Sequence, residues 1–156
     1  MDLRKPKIFG DFKIDNKYGI SNYLTGEVEM DKIINQTKIP NLHVATSGPI
    51  PPNPSELLMS ERNVKFIQDL KEIYDYIIID TSPVMGTSDA LSIGQLVDSV
   101  LFVVRYDVSN VKQVNYAIEK LQRANVKVEG IIFNDAKQSL IGAYNYHYGY
   151  EYKSKN

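Results

Sequence analysis

Four short apolar runs set the rhythm of the chain: Leu42 to Thr46, Tyr76 to Asp80, Ser99 to Val104 and Val128 to Phe133. Within them Ile77-Ile78-Ile79 and Val100-Leu101-Phe102-Val103-Val104 are continuously apolar instead of alternating. That pattern predicts strands covered on both faces, as in a parallel sheet. Between the runs the spacing becomes helical. Asn53-Pro54-Ser55-Glu56 offers an N-cap, a proline at the first helical position and a glutamate three residues after the cap. The helix it starts carries Leu57, Leu58, Phe66, Ile67 and Leu70 toward a core. Thr87 or Ser88 caps a second helix through Leu96. A third runs from about Asn110 to Ala124, with Val114, Ala117, Ile118 and Leu121 at helical spacing. A weaker helix is expected over Met30 to Gln36. Strand and helix alternating in this way predict a doubly wound α/β domain with a parallel sheet.

Composition narrows the class. At 156 residues the chain suits one domain. Hydrophobic content of 43% and charged content of 24% are those of a globular protein. Net charge is 18 − 19 = −1, with no basic run of the kind nucleic-acid modules carry, so no nucleic-acid partner is expected. Cysteine is absent, which removes disulfides, thiolate chemistry and Cys-zinc sites. No stretch approaches the roughly 18 apolar residues that span a bilayer, and Met1 to Lys7 lacks the apolar core of a signal peptide.

The C-terminus departs from the rest. Tyr144, Tyr146, Tyr148, Tyr150 and Tyr152 are five of the chain's eleven tyrosines. Alternation would align them on one face of a strand, yet Asn145, His147, Gly149 and Glu151 make a weak one. The chain therefore divides into a domain over residues 1–140 and a flexible tyrosine-rich tail over 141–156. An aromatic edge strand or a frayed end is the plain alternative. The sharper reading is a row of hydroxyls that each gain about −1.5 to −2 charges on phosphorylation. Four of the seven prolines fall between Pro49 and Pro54, a stiff connector or a contact surface.

Candidate chemistry gathers at strand ends. Ile77-Ile78-Ile79-Asp80-Thr81-Ser82-Pro83 places a carboxylate at the C-terminal edge of a sheet, where α/β ligand sites form. Asp80 there can hold Mg²⁺ directly or through water, or simply begin a turn. Ile131-Ile132-Phe133-Asn134-Asp135 ends at the same edge. Asn134 can bond a nucleotide base or make an Asx-turn, and the turn is the simpler role.

Taken together these segments resemble the bacterial tyrosine kinases of capsule and exopolysaccharide assembly. Asp2-Leu3-Arg4-Lys5-Pro6 is similar to the end of that family's Walker A′ motif, and Gly19-Ile20-Ser21-Asn22-Tyr23-Leu24-Thr25-Gly26 to its next segment. Ser47-Gly48-Pro49-Ile50-Pro51-Pro52-Asn53-Pro54-Ser55-Glu56-Leu57-Leu58 resembles its most distinctive stretch. Ile78-Ile79-Asp80-Thr81-Ser82-Pro83 resembles Walker B, with Ser82 where proline is more usual. Thr87-Ser88-Asp89-Ala90 fits the following helix start, and the tyrosine tail resembles an autophosphorylation cluster.

The resemblance implies a P-loop NTPase fold of the Walker A′/Walker B variant, using ATP and Mg²⁺. Asp80 and Asp2 would serve the metal, with Asp2 also near the attacking hydroxyl. Arg4 would steady the phosphates, Asn134 would touch the adenine, and Tyr144 to Tyr152 would accept phosphate from a neighbouring subunit. Implied partners are the cytoplasmic tail of a membrane adaptor of the polysaccharide co-polymerase type, further copies in a homo-oligomeric ring, and a cognate tyrosine phosphatase. The implied location is cytoplasmic, peripheral to the membrane through the adaptor. The family's first strand–loop–helix unit has no counterpart in this sequence, because no Gly-x-x-x-x-Gly-Lys-Ser/Thr occurs in it. That loop supplies most of the phosphate cradle, so the polypeptide alone is expected to be inactive. Two other classes fit part of the pattern: a non-catalytic phosphoacceptor and interaction module of an intact kinase, and a MinD/ParA-like partitioning ATPase.

Overall fold

A computed structural model describes residues 1–137. The chain begins with two short helices, α1 (Ile8–Phe12) and α2 (Ile20–Thr25), and a 3₁₀ turn at Met30–Lys32. Strands β1 (Ile34–Gln36) and β2 (His43–Ala45) then pair antiparallel, with Ile34 opposite Ala45. Helices α3 (Pro54–Leu58), α4 (Glu61–Lys71) and α5 (Asp89–Gly94) follow. Strand β3 (Val100–Arg105), helix α6 (Val111–Arg123) and strand β4 (Val128–Asn134) form a parallel β–α–β unit, with Leu101 opposite Gly130 and Arg105 opposite Asn134. The predicted α/β class with a parallel strand pair is therefore present.

The core explains these elements. Leu3, Ile20, Tyr23, Leu24, Ile33, Leu58, Phe66, Leu70 and Ile93 pack together and are buried. Phe66, only 1% exposed, tilts against the Tyr23 ring at 4.9 Å between centroids. Each such side chain contributes about 1.5–3 kcal/mol through burial. Asn110 closes the start of α6 by accepting from the Lys112 N–H at 2.9 Å.

Several expectations change. The single helix from Pro54 is two, because Ser60 breaks out to an extended backbone and caps α4 through Asn63 N–H. Asn53 does not cap α3 with its side chain; its amide donates to Glu56 instead. The weak helix over Met30 to Gln36 is a 3₁₀ turn followed by β1, since Ile33 turns fully into the core and Asn35 Nδ2 reaches the Val44 carbonyl. Tyr76 to Asp80 forms no strand and belongs to neither ladder among the described residues. Its Ile77 and Ile79 face the core, whereas Ile78 is 96% exposed. Burial on both faces is likewise missing at β3, where Leu101 and Val103 are exposed.

Candidate functional site at the end of the 76–80 segment

Leu3 is buried in the core, and this single anchor fixes its two neighbours. Asp2 lies on one side, and its Oδ1 accepts from the backbone N–H groups of Arg4 and Lys5 at 2.8 and 3.0 Å. Asp80 is exposed at the end of the 76–80 segment. The Met1 α-amino group donates to the Asp80 backbone carbonyl. Burial pushes that amine down to about 6, while the Asp80 and Asp2 carboxylates act in the opposite direction. Asp2 and Asp80 both line a small cavity of about 40 Å³ with Thr46 and Ser47. A void of this size has room for water molecules.

The walls of this cavity are built from two interlocked motifs. The first two N–H groups of α2, from Ile20 and Ser21, donate to the carbonyls of Thr46 and Ser47 at 2.8 and 2.9 Å. Asn16 clamps Gly48 from both sides, donating to its carbonyl and accepting from its N–H. Gly48 sits at φ 74, and a Cβ on Gly19 would lie 2.0 Å from the Gly48 nitrogen. Only glycine fits where these two backbones pass. The start of the Pro-rich segment is therefore a rigid wall beside Asp80.

Behind the site Arg4 makes a second construction. Its Nε donates to Asp89 Oδ2 at 2.7 Å and its Nη2 to Asp89 Oδ1 at 3.3 Å and Ser55 Oγ at 2.8 Å. Ser55 and Ser82 also donate to Asp89, at 2.7 and 3.2 Å. Burial pushes the Asp89 carboxyl up, but the Arg4 hydrogen bond, Ser55, the Arg4 charge and Ser82 outweigh it and hold the group below its ordinary value. One carboxylate thus ties together the N-terminal segment, α3, the Asp80 loop and α5. The unusual Ser82 has a job here that proline, lacking a hydroxyl, could not do. Sequence reasoning missed Asp89 as the hub, although Ser82 was its visible signal.

Asn134 ends β4, exposed, and its side-chain oxygen accepts from the Asp135 N–H at 2.9 Å, the simple turn. Arg105 holds Asp135 through Nε and Nη2 at 3.0 and 2.9 Å. Asp2, Arg4 and Asp80 are thus neighbours, while Asn134 stands on the far strand of the parallel pair. Tyr144 to Tyr152 lie outside the described residues. The described residues hold no cluster of three or more His, Asp or Glu side chains suited to a metal. Two carboxylates beside the Thr46 and Ser47 hydroxyls, in a cavity with room for water, fit Mg²⁺, which takes one or two carboxylates and keeps several waters. No described helix is long and apolar enough to cross a membrane.

No family model matches the chain. Tyrosine-protein kinase Etk of Escherichia coli strain K12 is 36% identical over 145 residues, which are 93% of this chain and 20% of that protein. Tyrosine-protein kinase Wzc of Salmonella typhi is 35% identical over 154 residues, 98% of the chain and 21% of the relative. The chain thus spans about a fifth of the length of the curated relatives it matches. Among solved structures, the Etk kinase domain superposes with a TM-score of 0.82 at 36% identity, covering 85% of this chain and 52% of that one. The VpsO kinase domain superposes with a TM-score of 0.82 at 31% identity, covering 87% of this chain and 68% of that one. Agreement in sequence and fold over nearly all the described residues leaves one assignment: the chain belongs to the bacterial tyrosine kinases.

Proposed function

We propose that this chain carries the metal-side carboxylates and the phosphoacceptor tail of a protein-tyrosine autokinase of capsule or exopolysaccharide synthesis. The observation that supports it best is that Asp80 and Asp2 line one small cavity, walled by Thr46 and Ser47. Mg²⁺ held by Asp80 and Asp2 would neutralise charge on the phosphates of ATP. A phenolic oxygen of Tyr144, Tyr146, Tyr148, Tyr150 or Tyr152 forms a bond to the γ-phosphorus. The bond from that phosphorus to the β,γ-bridging oxygen breaks, and ADP departs. The phenolic proton passes to Asp2 or to solvent. Arg4 acts from its place on Asp89, keeping Asp2 and the Asp80 loop in register. Asn134 would meet the adenine by turning its amide away from Asp135. Residues 1–140 form the domain and 141–156 the tail, which a neighbouring subunit in a ring receives. A membrane adaptor's cytoplasmic tail and a tyrosine phosphatase complete the cycle, and the adaptor keeps the cytoplasmic chain beside the membrane.

The sequence holds no Gly-rich Lys-Ser/Thr loop. Losing one preorganised donor elsewhere costs 10²–10³ in rate, so the polypeptide by itself is inactive in this reading. Labelled ATP with Mg²⁺, given with and without a Walker A-bearing kinase segment, tests it. Label should enter the tail only with the segment present. Absence of the loop also favours a second reading, a pure phosphoacceptor for an intact kinase. In that case Asp80→Ala leaves labelling by the intact enzyme unchanged.

A further inference from the structure

Asp2 belongs to the N-terminal segment and Asp80 to the loop that leads to α5, yet both line one cavity. The Met1 amine on the Asp80 carbonyl joins the two segments directly. Apart from that bond, the described residues connect them by hydrogen bonds only by way of Asp89. Asp2 Oδ1 is held by the N–H groups of Arg4 and Lys5, and the Arg4 Nε donates to Asp89 at 2.7 Å. On the other side Ser82, two residues beyond Asp80, donates to Asp89 Oδ2 at 3.2 Å. Thr87 closes a ring. Its Oγ1 lies 2.9 Å from Ser82 Oγ and accepts from the Asp89 N–H at 3.3 Å. Ser82 has one proton and gives it to the carboxylate, so Thr87 donates to Ser82. Ser82 and Asp89 are 4% and 1% exposed, so water does not compete for these bonds.

We propose that Ser82 is a positioning residue for the metal: its bond to Asp89 holds the Asp80 loop where Asp80 and Asp2 together serve one divalent cation. Ser82 itself touches no metal. It acts through the short loop that carries Asp80, while Arg4, on the same carboxylate, fixes the backbone that orients Asp2. Removing a group that orients a metal ligand costs about 10–100-fold in metal affinity. Because Ser82 works at one remove, the low end, about tenfold, is expected. The inference rests on the reading that Asp80 and Asp2 hold Mg²⁺, and its test tells the failure of one from the failure of the other.

Titrating the isotope-labelled 156-residue chain with Mn²⁺, followed by NMR, tests it. Mn²⁺ takes the same oxygen ligands as Mg²⁺ and broadens the amide signals near it. In the unaltered chain the amides of residues 3–5 and 79–82 should broaden together at one midpoint. Asp80→Asn should raise that midpoint for both segments. Ser82→Ala should raise it about tenfold and make the two segments broaden at separate concentrations. Asp89→Asn cuts the same path and should do the same, and the double variant should be no worse than the larger single effect. Val126→Ala, which removes buried methyl groups after α6, should leave one unshifted midpoint. Broadening that Asp80→Asn does not alter overturns the metal reading and this inference with it. Broadening weakened by Asp80→Asn but unchanged in Ser82→Ala or in Asp89→Asn overturns the inference alone. So does a shift in Val126→Ala as large as that in Ser82→Ala.

Discussion

Replacing Asp89 probes the construction behind the site most sharply. Its side chain is fully buried, while that of Arg4 is 38% exposed. Asp89 accepts from Arg4 Nε and Nη2, Ser55 Oγ and Ser82 Oγ. Asp89→Ala removes four accepted bonds and leaves the buried Ser82 hydroxyl without its carboxylate. A stranded buried group costs about 1–3 kcal/mol, and breaking a buried charged pair about 3–5 kcal/mol. The expected loss is about 3 kcal/mol, or about 6–12 °C in Tm for a chain of this size. Asp89→Asn keeps an acceptor and returns Arg4 to water, so about 1 kcal/mol is expected. Arg4→Met should be worse than Asp89→Asn, because it leaves the carboxylate buried without its cation. The pH dependence follows in sign. A carboxyl held below its unfolded value contributes stability above the ordinary carboxylate range and loses it as pH falls through the depressed value. In Arg4→Met that loss should begin at higher pH. Thermal unfolding of the three variants across acid pH measures all of this. If Arg4→Met proves milder than Asp89→Asn, Asp89 is not the hub the geometry makes it.

Three further outcomes are expected. Phe66→Ala, which empties the centre of the core against Tyr23, should cost about 3–5 kcal/mol by denaturant unfolding. Gly94→Ala puts a Cβ 2.7 Å from Val126 Cγ1, so a loss of about 1–3 kcal/mol is expected, largely recovered by adding Val126→Ala. Asp80→Asn changes an exposed side chain and should leave Tm unaltered. It should abolish tail labelling in the segment-complemented kinase assay.

Much of the fold could be read because its signals are local. The 3.6-residue spacing of Val114, Ala117 and Leu121 defines α6 within a residue. The apolar runs at β3 and β4 did the same for the parallel pair. What failed depended on distant partners. Met30 to Gln36 reads as a helix until Asn35 meets Val44, nine positions away. Ser60 is a weaker-looking cap than Asn53, yet the break between α3 and α4 falls there. Ile78 reads as doubly buried, but which neighbours flank a strand is decided by the whole sheet. For the proposed site, Asp80 and Asp2 each sit in a short local motif, whereas the hub joining positions 4, 55, 82 and 89 spans most of the chain. Its single local trace was a serine where the family pattern has proline.

The central claim is that the tail hydroxyls are substrates of a nucleotide site whose metal-binding half is Asp80 and Asp2. Mass spectrometry of the protein isolated from its own cells tests it most directly. Phosphate on one or more of Tyr144, Tyr146, Tyr148, Tyr150 and Tyr152, lost in cells carrying Asp80→Asn, is the result the account predicts. Tail peptides recovered in full and never phosphorylated under capsule-producing conditions would contradict it.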